Sequence, residues 1–138
     1  MLPGRVIQFK GPESGLQTVE RIHRVLQIGR DGELLHLRAK VLGSAGYTVH
    51  SMSPEQTPAE LGRATVPQVW VFCHTLEFYE LALLAVAIRN DRPADKLLRM
   101  NSLDDIGQLP ELFDGFVGPA DSVDKLLQAV DDLAKSHP

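Results

Sequence analysis

Little in the sequence could hold a fold together through covalent or metal bonds. The 138 residues include one cysteine, Cys73, which excludes an internal disulfide and a cysteine-based zinc site. The longest uninterrupted apolar run, residues 81–88, is eight residues long, whereas a helix that crosses a bilayer needs about 20. No secretory signal core lies near Met1. We therefore expect a cytoplasmic chain that enters no membrane and relies on hydrophobic burial.

A large excess of charge of either sign is also absent. Lys and Arg together number 14 and Asp and Glu 18, which gives a formal net charge of -4. This balance gives no support for a nucleic-acid partner or an anionic membrane surface. Hydrophobic residues at 43% and charged residues at 23% are typical of a globular protein, and the length suits one domain.

From residue 24 onward, apolar segments of strand length alternate with segments of helical period. This alternation is typical of a parallel sheet with crossover helices. The predicted strands are residues 24–28, 47–52, 69–73, 96–100 and 113–117. The first predicted helix follows a break at residues 29–32, has Leu34, Leu35, Val41 and Leu42 at helical spacing, and is capped by Gly46. The other predicted helices are residues 53–62 with Pro58 able to delay the regular helix by a turn, residues 78–90, and a last helix capped by Asp121 or Ser122. That last helix has a predicted buried stripe of Val123, Leu126, Leu127, Val130 and Leu133.

The first 22 residues fall outside this alternation. Residues 5–10 suit a short strand, and Gly11-Pro12 ends it. We treat residues 1–22 as an N-terminal extension or arm and residues 23–138 as the domain. The arm either lies on its own domain, which we favour, or exchanges with a neighbouring subunit.

Four segments in this order resemble response-regulator receiver domains. They are residues 25–35 (VLQIGRDGELL), 41–49 (VLGSAGYTV), 67–73 (PQVWVFC) and 113–119 (FDGFVGP). The resemblance covers about residues 23–135. It implies a three-layer, doubly wound, flavodoxin-like α/β fold whose five-stranded parallel sheet has the order 2-1-3-4-5. In such folds, ligands gather where the first and third strands end.

The resemblance also implies where a phosphotransfer site would lie. Active members of the family have an acidic pair after the first strand and a phosphoryl-accepting aspartate ending the third, and these carboxylates bind Mg²⁺. A hydroxyl residue after the fourth strand and a lysine after the fifth complete the site. The corresponding positions here are Gly29 and Arg30, Cys73, and Asn101 within about one residue, with Asp31 one position beyond the acidic pair. The lysine position corresponds to Gly118 or is deleted before Pro119.

With these positions substituted, the chain resembles a degenerate member, or pseudo-receiver. The resemblance implies a non-enzymatic signalling domain of two-component, bacterial type that acts by binding a protein partner, without a cofactor. One carboxylate beside an arginine is a poor Mg²⁺ site, so we predict no metal in the shallow cleft that Arg30, Asp31 and Cys73 should line. A receiver phosphorylated at an unusual residue is a further alternative.

Cys73 with His74 raises the alternative of a small α/β enzyme, because a thiol and an imidazole can form a nucleophile and its base. Adjacent residues of a strand point to opposite faces, which argues against the pair and favours a buried, inert cysteine. Arg30 and the glycines Gly29 and Gly32 raise a second alternative, an anion or ligand sensor. Gly29-x-x-Gly32 lacks the full dinucleotide or phosphate-loop pattern, and the remaining histidines show no metal-ligand spacing.

The predicted third helix has two apolar stripes. Phe78, Leu81, Leu84, Ala85 and Ile88 share the stripe expected to cover the sheet. The second stripe comprises Tyr79, Leu83, Val86 and Ala87. Because an outer-layer helix normally turns a polar face to water, we predict that the second stripe is an interaction surface. Its cover is a second subunit in a homodimer, which we favour, the N-terminal arm or another protein.

Overall fold

The computed structural model of the chain describes residues 21–63, 66–100, 110–118 and 121–135. The strands are β1 (Arg24–Ile28), β2 (Thr48–Met52), β3 (Val69–Phe72), β4 (Lys96–Met100) and β5 (Gly115–Val117). The helices are α1 (Gly32–Ser44), α2 (Thr57–Glu60), α3 (Phe78–Asp91) and α4 (Val123–Lys135), with 3₁₀ turns at Pro54–Gln56 and Pro110–Leu112. Residues 1–20 and Asn101, on which parts of the sequence interpretation depend, lie outside the described residues.

The sheet confirms the predicted topology. Its five strands are all parallel and have the order β2-β1-β3-β4-β5. Ile28 at the end of β1 pairs with Met52 of β2 and with Phe72 of β3. The carboxyl ends of these three strands therefore meet at one edge of the sheet, where the candidate site lies.

Two hydrophobic cores, one on each face of the sheet, give the fold three layers. Successive side chains of β1 and β3 alternate between the faces, as the pleat of a strand requires. The core shared with α1 and α4 includes Ile22, Val25, Leu42, Val69, Val71, Leu126 and Val130. The core shared with α3 includes Leu26, Ile28, Trp70, Phe72, Leu81, Ala85 and Ile88. Because β3 is covered on both faces, it reads as a continuous apolar run, whereas β1 also buries the polar Gln27.

The loop after α1 shows why the predicted helix end was recognisable. Gly46 has a φ of +104°, in the left-handed region that glycine adopts without a steric penalty. Its N–H donates to Gly43 O at 3.0 Å, and Tyr47 N–H donates to Leu42 O at 3.2 Å. These bonds satisfy carbonyls of the last helical turn and lead the chain into β2.

Several predicted boundaries and faces differ from the structure. The second helical segment is a 3₁₀ turn followed by the four-residue α2, since Pro58 has no N–H to donate to a preceding turn. β5 begins at Gly115 instead of residue 113. Phe78 and Val123 were predicted to face the sheet, but they are 44% and 45% exposed. Each is the first residue of its helix, so no preceding helical turn shields its side chain.

A buried carboxylate fixes the opposite edge of the sheet. Asp95 is 1% exposed and accepts hydrogen bonds from Gln68 N at 3.0 Å, Trp70 Nε1 at 2.7 Å and Arg92 Nε at 2.6 Å. These donors offset the cost of burying the charge. Over the described part of the chain, no helix is both long and apolar enough to span a membrane.

Candidate functional site

Gly29 and Cys73 pack against each other where β1 and β3 end. Cys73 N–H donates to Ile28 O at 3.0 Å, which holds the two strand ends together. A Cβ at residue 29 would lie 3.0 Å from Cys73 Cβ and 3.2 Å from Thr75 Oγ1. Residue 29, which the family resemblance aligns with the first residue of the acidic pair, therefore has no room for a carboxylate unless its neighbours shift.

Arg30, which the family resemblance aligns with the second residue of the acidic pair, joins three segments by ion pairs. Its Nη2 lies 2.7 Å from Glu55 Oε2, in the 3₁₀ turn after β2. The same guanidinium contacts Glu80 in the first turn of α3, with Nε donating to Oε1 at 3.2 Å. The backbone N–H of Arg30 donates to Thr75 Oγ1 at 3.0 Å, which fixes the loop that carries it. We call this group of Arg30, Glu55 and Glu80 the Arg30 bridge.

The Arg30 bridge shifts the pKa values of the three residues that form it. Hydrogen bonds to Glu80 and Glu55 raise the pKa of Arg30, so the guanidinium stays charged. In return, Arg30 lowers the pKa of both Glu80 and Glu55. A fixed cation thus lies between carboxylates at the edge of the sheet where active receivers, by the family resemblance, bind Mg²⁺.

Asp31, the remaining carboxylate of this loop, serves the helix that follows. Its Oδ1 accepts from Glu33 N at 3.1 Å and from Leu34 N at 3.2 Å, so Asp31 caps α1. Mg²⁺ prefers several oxygen ligands at near-octahedral geometry. Across the residues that the structure describes, no group of three or more His, Cys, Asp or Glu side chains could hold a metal ion. The residues present do not fit Mg²⁺.

Cys73, at the position that the family resemblance assigns to the phosphoacceptor, is 2% exposed. Burial raises the pKa of its thiol to about 11, although the nearby Arg38 guanidinium acts in the opposite direction. A thiol with this pKa is almost entirely protonated near pH 7 and is a weak nucleophile. His74 is exposed, whereas the Cys73 thiol is buried. Both features weigh against a Cys–His catalytic pair.

The position after β5 also lacks a side chain that could reach the site. Gly118 N–H donates to Asp121 Oδ2 at 2.7 Å, and a Cβ at residue 118 would lie 3.2 Å from that oxygen. The Arg38 guanidinium of α1 instead lies close enough to Cys73 to act on the pKa of its thiol. Sequence analysis missed Arg38, although its spacing from the buried Leu35 and Leu42 places it on the inner face of α1.

A groove of about 470 Å³ opens beside Arg30, between α1 and the end of β2. Gly29, Arg30, His36 and Ser51 are among its lining residues, whereas Asp31 and Cys73 do not line it, contrary to the predicted cleft. Asp31 points to the amides of α1, and the thiol is buried. Because carboxylates already neutralise Arg30 and Asp31 caps α1, the groove offers an anion little free positive charge.

The outer face of α3 carries the largest apolar side chains of the predicted interaction stripe. Tyr79 is 72% exposed, Leu83 58% and Val86 46%, while Ala87 is half-buried. Leu81, Ala85 and Ile88 of the same helix are buried against the sheet. The structure thus places the two stripes on opposite sides of α3.

No protein-family model and no curated protein match the chain. Solved structures do resemble it. A chain described as adenylate cyclase from Rhodopirellula baltica has a TM-score of 0.73 at 17% identity, over 83% of this chain and 88% of that one. The response regulator TrrA from Thermotoga maritima, in complex with Mg(2+)-BeF, has a TM-score of 0.70 at 16% identity, over 81% and 99%. TrrA in complex with the histidine kinase ThkA has a TM-score of 0.69 at 15% identity, over 81% and 98%.

Other similar structures are described as receiver or CheY-like proteins. At identities this low, the likeness establishes the fold, and the chain has the architecture of a receiver domain. Chemistry has to be argued from the residues at the site.

Proposed function

We propose that the chain is a non-enzymatic, cytoplasmic pseudo-receiver domain of a bacterial-type signalling pathway. It takes no part in phosphoryl transfer and acts by binding another protein. The receiver fold supports the signalling role, and one structural neighbour, TrrA, is found in complex with a histidine kinase.

The Arg30 bridge is the observation that carries this proposal. Phosphoryl transfer in receivers needs a metal to neutralise the phosphoryl oxygens. Here the Arg30 guanidinium provides the positive charge, and its ion pairs with Glu55 and Glu80 neutralise that charge. It also joins the β1–α1 loop to α3 without a ligand, so the shape of this edge does not depend on phosphorylation.

The acceptor position supports the same conclusion. Cys73 offers a buried, protonated thiol in place of a carboxylate, and Gly29 packs directly against it. No oxygen ligand can approach from residue 29 without displacing these neighbours. We therefore assign Gly29, Arg30 and Cys73 to a closed structural site.

The outer face of α3 is the proposed interaction surface. Tyr79, Leu83 and Val86 expose apolar area on the helix that the Arg30 bridge holds at its first turn. Contiguous apolar area exposed on a helix marks a contact surface more often than scattered single residues do. Fixing α3 through Glu80 presents this surface in one orientation.

Exposure to acetyl phosphate tests the proposal. The protein is incubated with Mg²⁺ and acetyl phosphate, and its intact mass is measured beside an active receiver as the positive control. We expect no mass change. A gain of one phosphoryl group would overturn the proposal, and repeating the assay on Cys73→Ala would show whether the acceptor is Cys73 or an unusual residue.

A further inference from the structure

β2 is an edge strand whose outer backbone groups have no partner. It is the first strand in the sheet order and pairs with β1 alone. Thr48 N–H donates to the residue before β1 at 2.9 Å, and Met52 O accepts from the residue after β1 at 3.1 Å. Because backbone direction alternates along a strand, Val49 and Ser51 turn their N–H and C=O groups outward. Among the described residues, no backbone group pairs with these four.

The edge of β2 has none of the features that usually protect an exposed strand. Natural edge strands are often blocked by proline, lysine or a bulge. The sequence of β2, TVHSM, contains neither proline nor lysine, and its five residues pair with β1 in continuous register, without a bulge. The opposite edge strand, β5, has three residues and offers a shorter ladder. The edge of β2 is therefore open to a further strand.

The two faces of this edge differ. On the α1 face, Ser51 lines the groove of about 470 Å³, whose apolar lining includes Leu35 and Ala39. On the other face, Thr48 and His50 are exposed. A strand added beside β2 would thus bury the side chains of one face and expose those of the other. The segment that fits has apolar side chains at alternate positions on one face and mainly polar ones on the other.

Residues 5–10, with the sequence RVIQFK, have this pattern. They lie outside the described residues. Ile7 and Phe9 are large and apolar and would share one face of a strand, whereas Gln8 and Lys10 follow Val6 on the other face. The segment therefore matches a half-buried edge strand.

The charges of this segment complement those around β2. Both of its end residues, Arg5 and Lys10, are basic. Residues 41–62, which include β2, contain no Lys or Arg and two acidic residues, Glu55 and Glu60. Charges of opposite sign favour the approach of the segment to this edge.

The described chain begins next to the start of β2. Arg21 Nη2 donates to Tyr47 Oη at 2.5 Å and to Asp131 Oδ1 at 2.8 Å, and Tyr47 directly precedes β2. Residues 11–20 join Lys10 to Arg21, and an extended chain of that length spans about 33–36 Å. β2 is about 17 Å long, so the linker can reach any part of it. An antiparallel strand, which brings Lys10 to the start of β2, needs the shortest path.

We propose that residues 5–10 add to the edge of β2 as an antiparallel sixth strand of the same chain. Placing Ile7 and Phe9 on the groove side sets the register, because residues opposite each other on neighbouring strands share a face. Ile7 then lies opposite Ser51, Phe9 lies opposite Val49, and each pair exchanges two hydrogen bonds. The added strand covers the groove from the edge of the sheet. This inference goes beyond the proposed function, which concerns α3 and does not depend on it.

Amide hydrogen exchange, followed residue by residue by NMR on the full chain, tests the added strand. The Val49 and Ser51 amides should exchange at least about tenfold more slowly than unpaired amides, because each donates to the strand. Ile7→Pro removes the N–H that would donate to Ser51 O, so both amides should exchange at least about tenfold faster than in the wild type. The matched control Gln17→Pro, in the linker, should change either rate less than about twofold. The Thr48 amide, bonded to the residue before β1, should stay protected in all three proteins.

Two results of this experiment would overturn the proposal. The first is fast exchange of the Val49 and Ser51 amides in the wild type, at the rate of unpaired amides. The second is protection that Ile7→Pro leaves unchanged, because another group would then cover the edge. If Ile7→Pro fails to fold by circular dichroism, Ile7→Asp takes its place, since its charge would face the apolar lining of the groove. Unchanged protection in Ile7→Asp would count equally against the strand.

Disulfide formation tests the register and the origin of the strand. In a Cys73→Ala background, Ile7→Cys with Ser51→Cys should form a disulfide within one chain on mild oxidation, because the Cα atoms of such an opposite pair lie about 5.5 Å apart. The matched variant, Gln8→Cys with Ser51→Cys, places the two thiols on opposite faces and should stay reduced. Equal cross-linking of both variants would refute the register. A disulfide-linked dimer of the first variant would refute a strand supplied by the same chain.

Discussion

Adding a single methyl group at residue 29 tests whether the space between the ends of β1 and β3 is closed. The Cβ of Gly29→Ala would meet Cys73 Cβ at 3.0 Å, Thr75 Oγ1 at 3.2 Å and Cys73 Sγ at 3.3 Å. All three are closer than ordinary van der Waals contacts, and two belong to a buried side chain. The φ of Gly29 lies outside the left-handed region, so backbone strain does not add to the clash.

The two opposing effects of this substitution differ in size. Overpacking a buried site costs about 1–3 kcal/mol. Replacing glycine by alanine at a compatible φ raises the free energy of unfolding by about 0.4–1 kcal/mol, because it lowers the conformational entropy of the unfolded chain. We expect a net loss of about 1–2 kcal/mol in the free energy of unfolding, and a melting temperature lower by roughly 4–8 °C. Urea denaturation followed by circular dichroism measures the first quantity.

A matched control and a double-mutant cycle separate the clash from a general glycine effect. A Cβ at Gly32 would meet nothing within 4 Å, so Gly32→Ala should be neutral or slightly stabilising. Replacing Cys73 by glycine removes two of the three close contacts of residue 29. The cost of Gly29→Ala should therefore fall by at least half in Cys73→Gly. Equal effects of Gly29→Ala and Gly32→Ala would refute the closed site.

Three further predictions concern reactivity, pH and the opposite edge of the sheet. Cys73 is buried and its thiol has a pKa of about 11, so it should react with iodoacetamide at neutral pH only after unfolding. Rapid stoichiometric alkylation of the native protein would instead favour the enzyme alternative. Arg30 lowers the pKa of Glu80, so the stability that the bridge contributes is present above the ordinary carboxyl pKa of about 4 and is lost as pH falls through the lower folded-state pKa. The difference in melting temperature between wild type and Arg30→Met should therefore shrink as pH drops below about 4. A difference that does not depend on pH would contradict this prediction. Asp95→Ala leaves buried donors unpaired and should lower the free energy of unfolding, measured by urea denaturation, by about 3 kcal/mol. The control Asp91→Ala removes an exposed carboxylate and should lower it by less than about 0.5 kcal/mol. Similar losses for the two variants would be evidence against the buried cluster.

The fold was predictable because its signals are local. The mainly apolar segments at residues 24–28 and 96–100 are each followed by a turn-forming residue, Gly29 and Asn101, and both strands have these limits in the structure. Gly46 ends α1 through its own backbone conformation. By contrast, α2 is short because Pro58 interrupts the segment, and period alone does not show where a helix resumes.

The candidate site was predictable only in part. The family resemblance placed Gly29, Arg30 and Cys73 near one another because strand ends meet at a sheet edge. It did not reveal Glu55 and Glu80 as partners of Arg30, since they are 25 and 50 residues away in sequence. Contacts of that kind depend on how loops and helices pack, which no local pattern encodes.

Calorimetric titration with Mg²⁺ tests most directly the claim that Arg30 takes the place of the metal. The guanidinium lies between Glu55 and Glu80, and Asp31 caps α1, so a divalent cation finds no set of free oxygen ligands. We predict no saturable heat with a dissociation constant tighter than about 1 mM. Binding of one Mg²⁺ tighter than that, weakened by Asp31→Asn, would contradict the account.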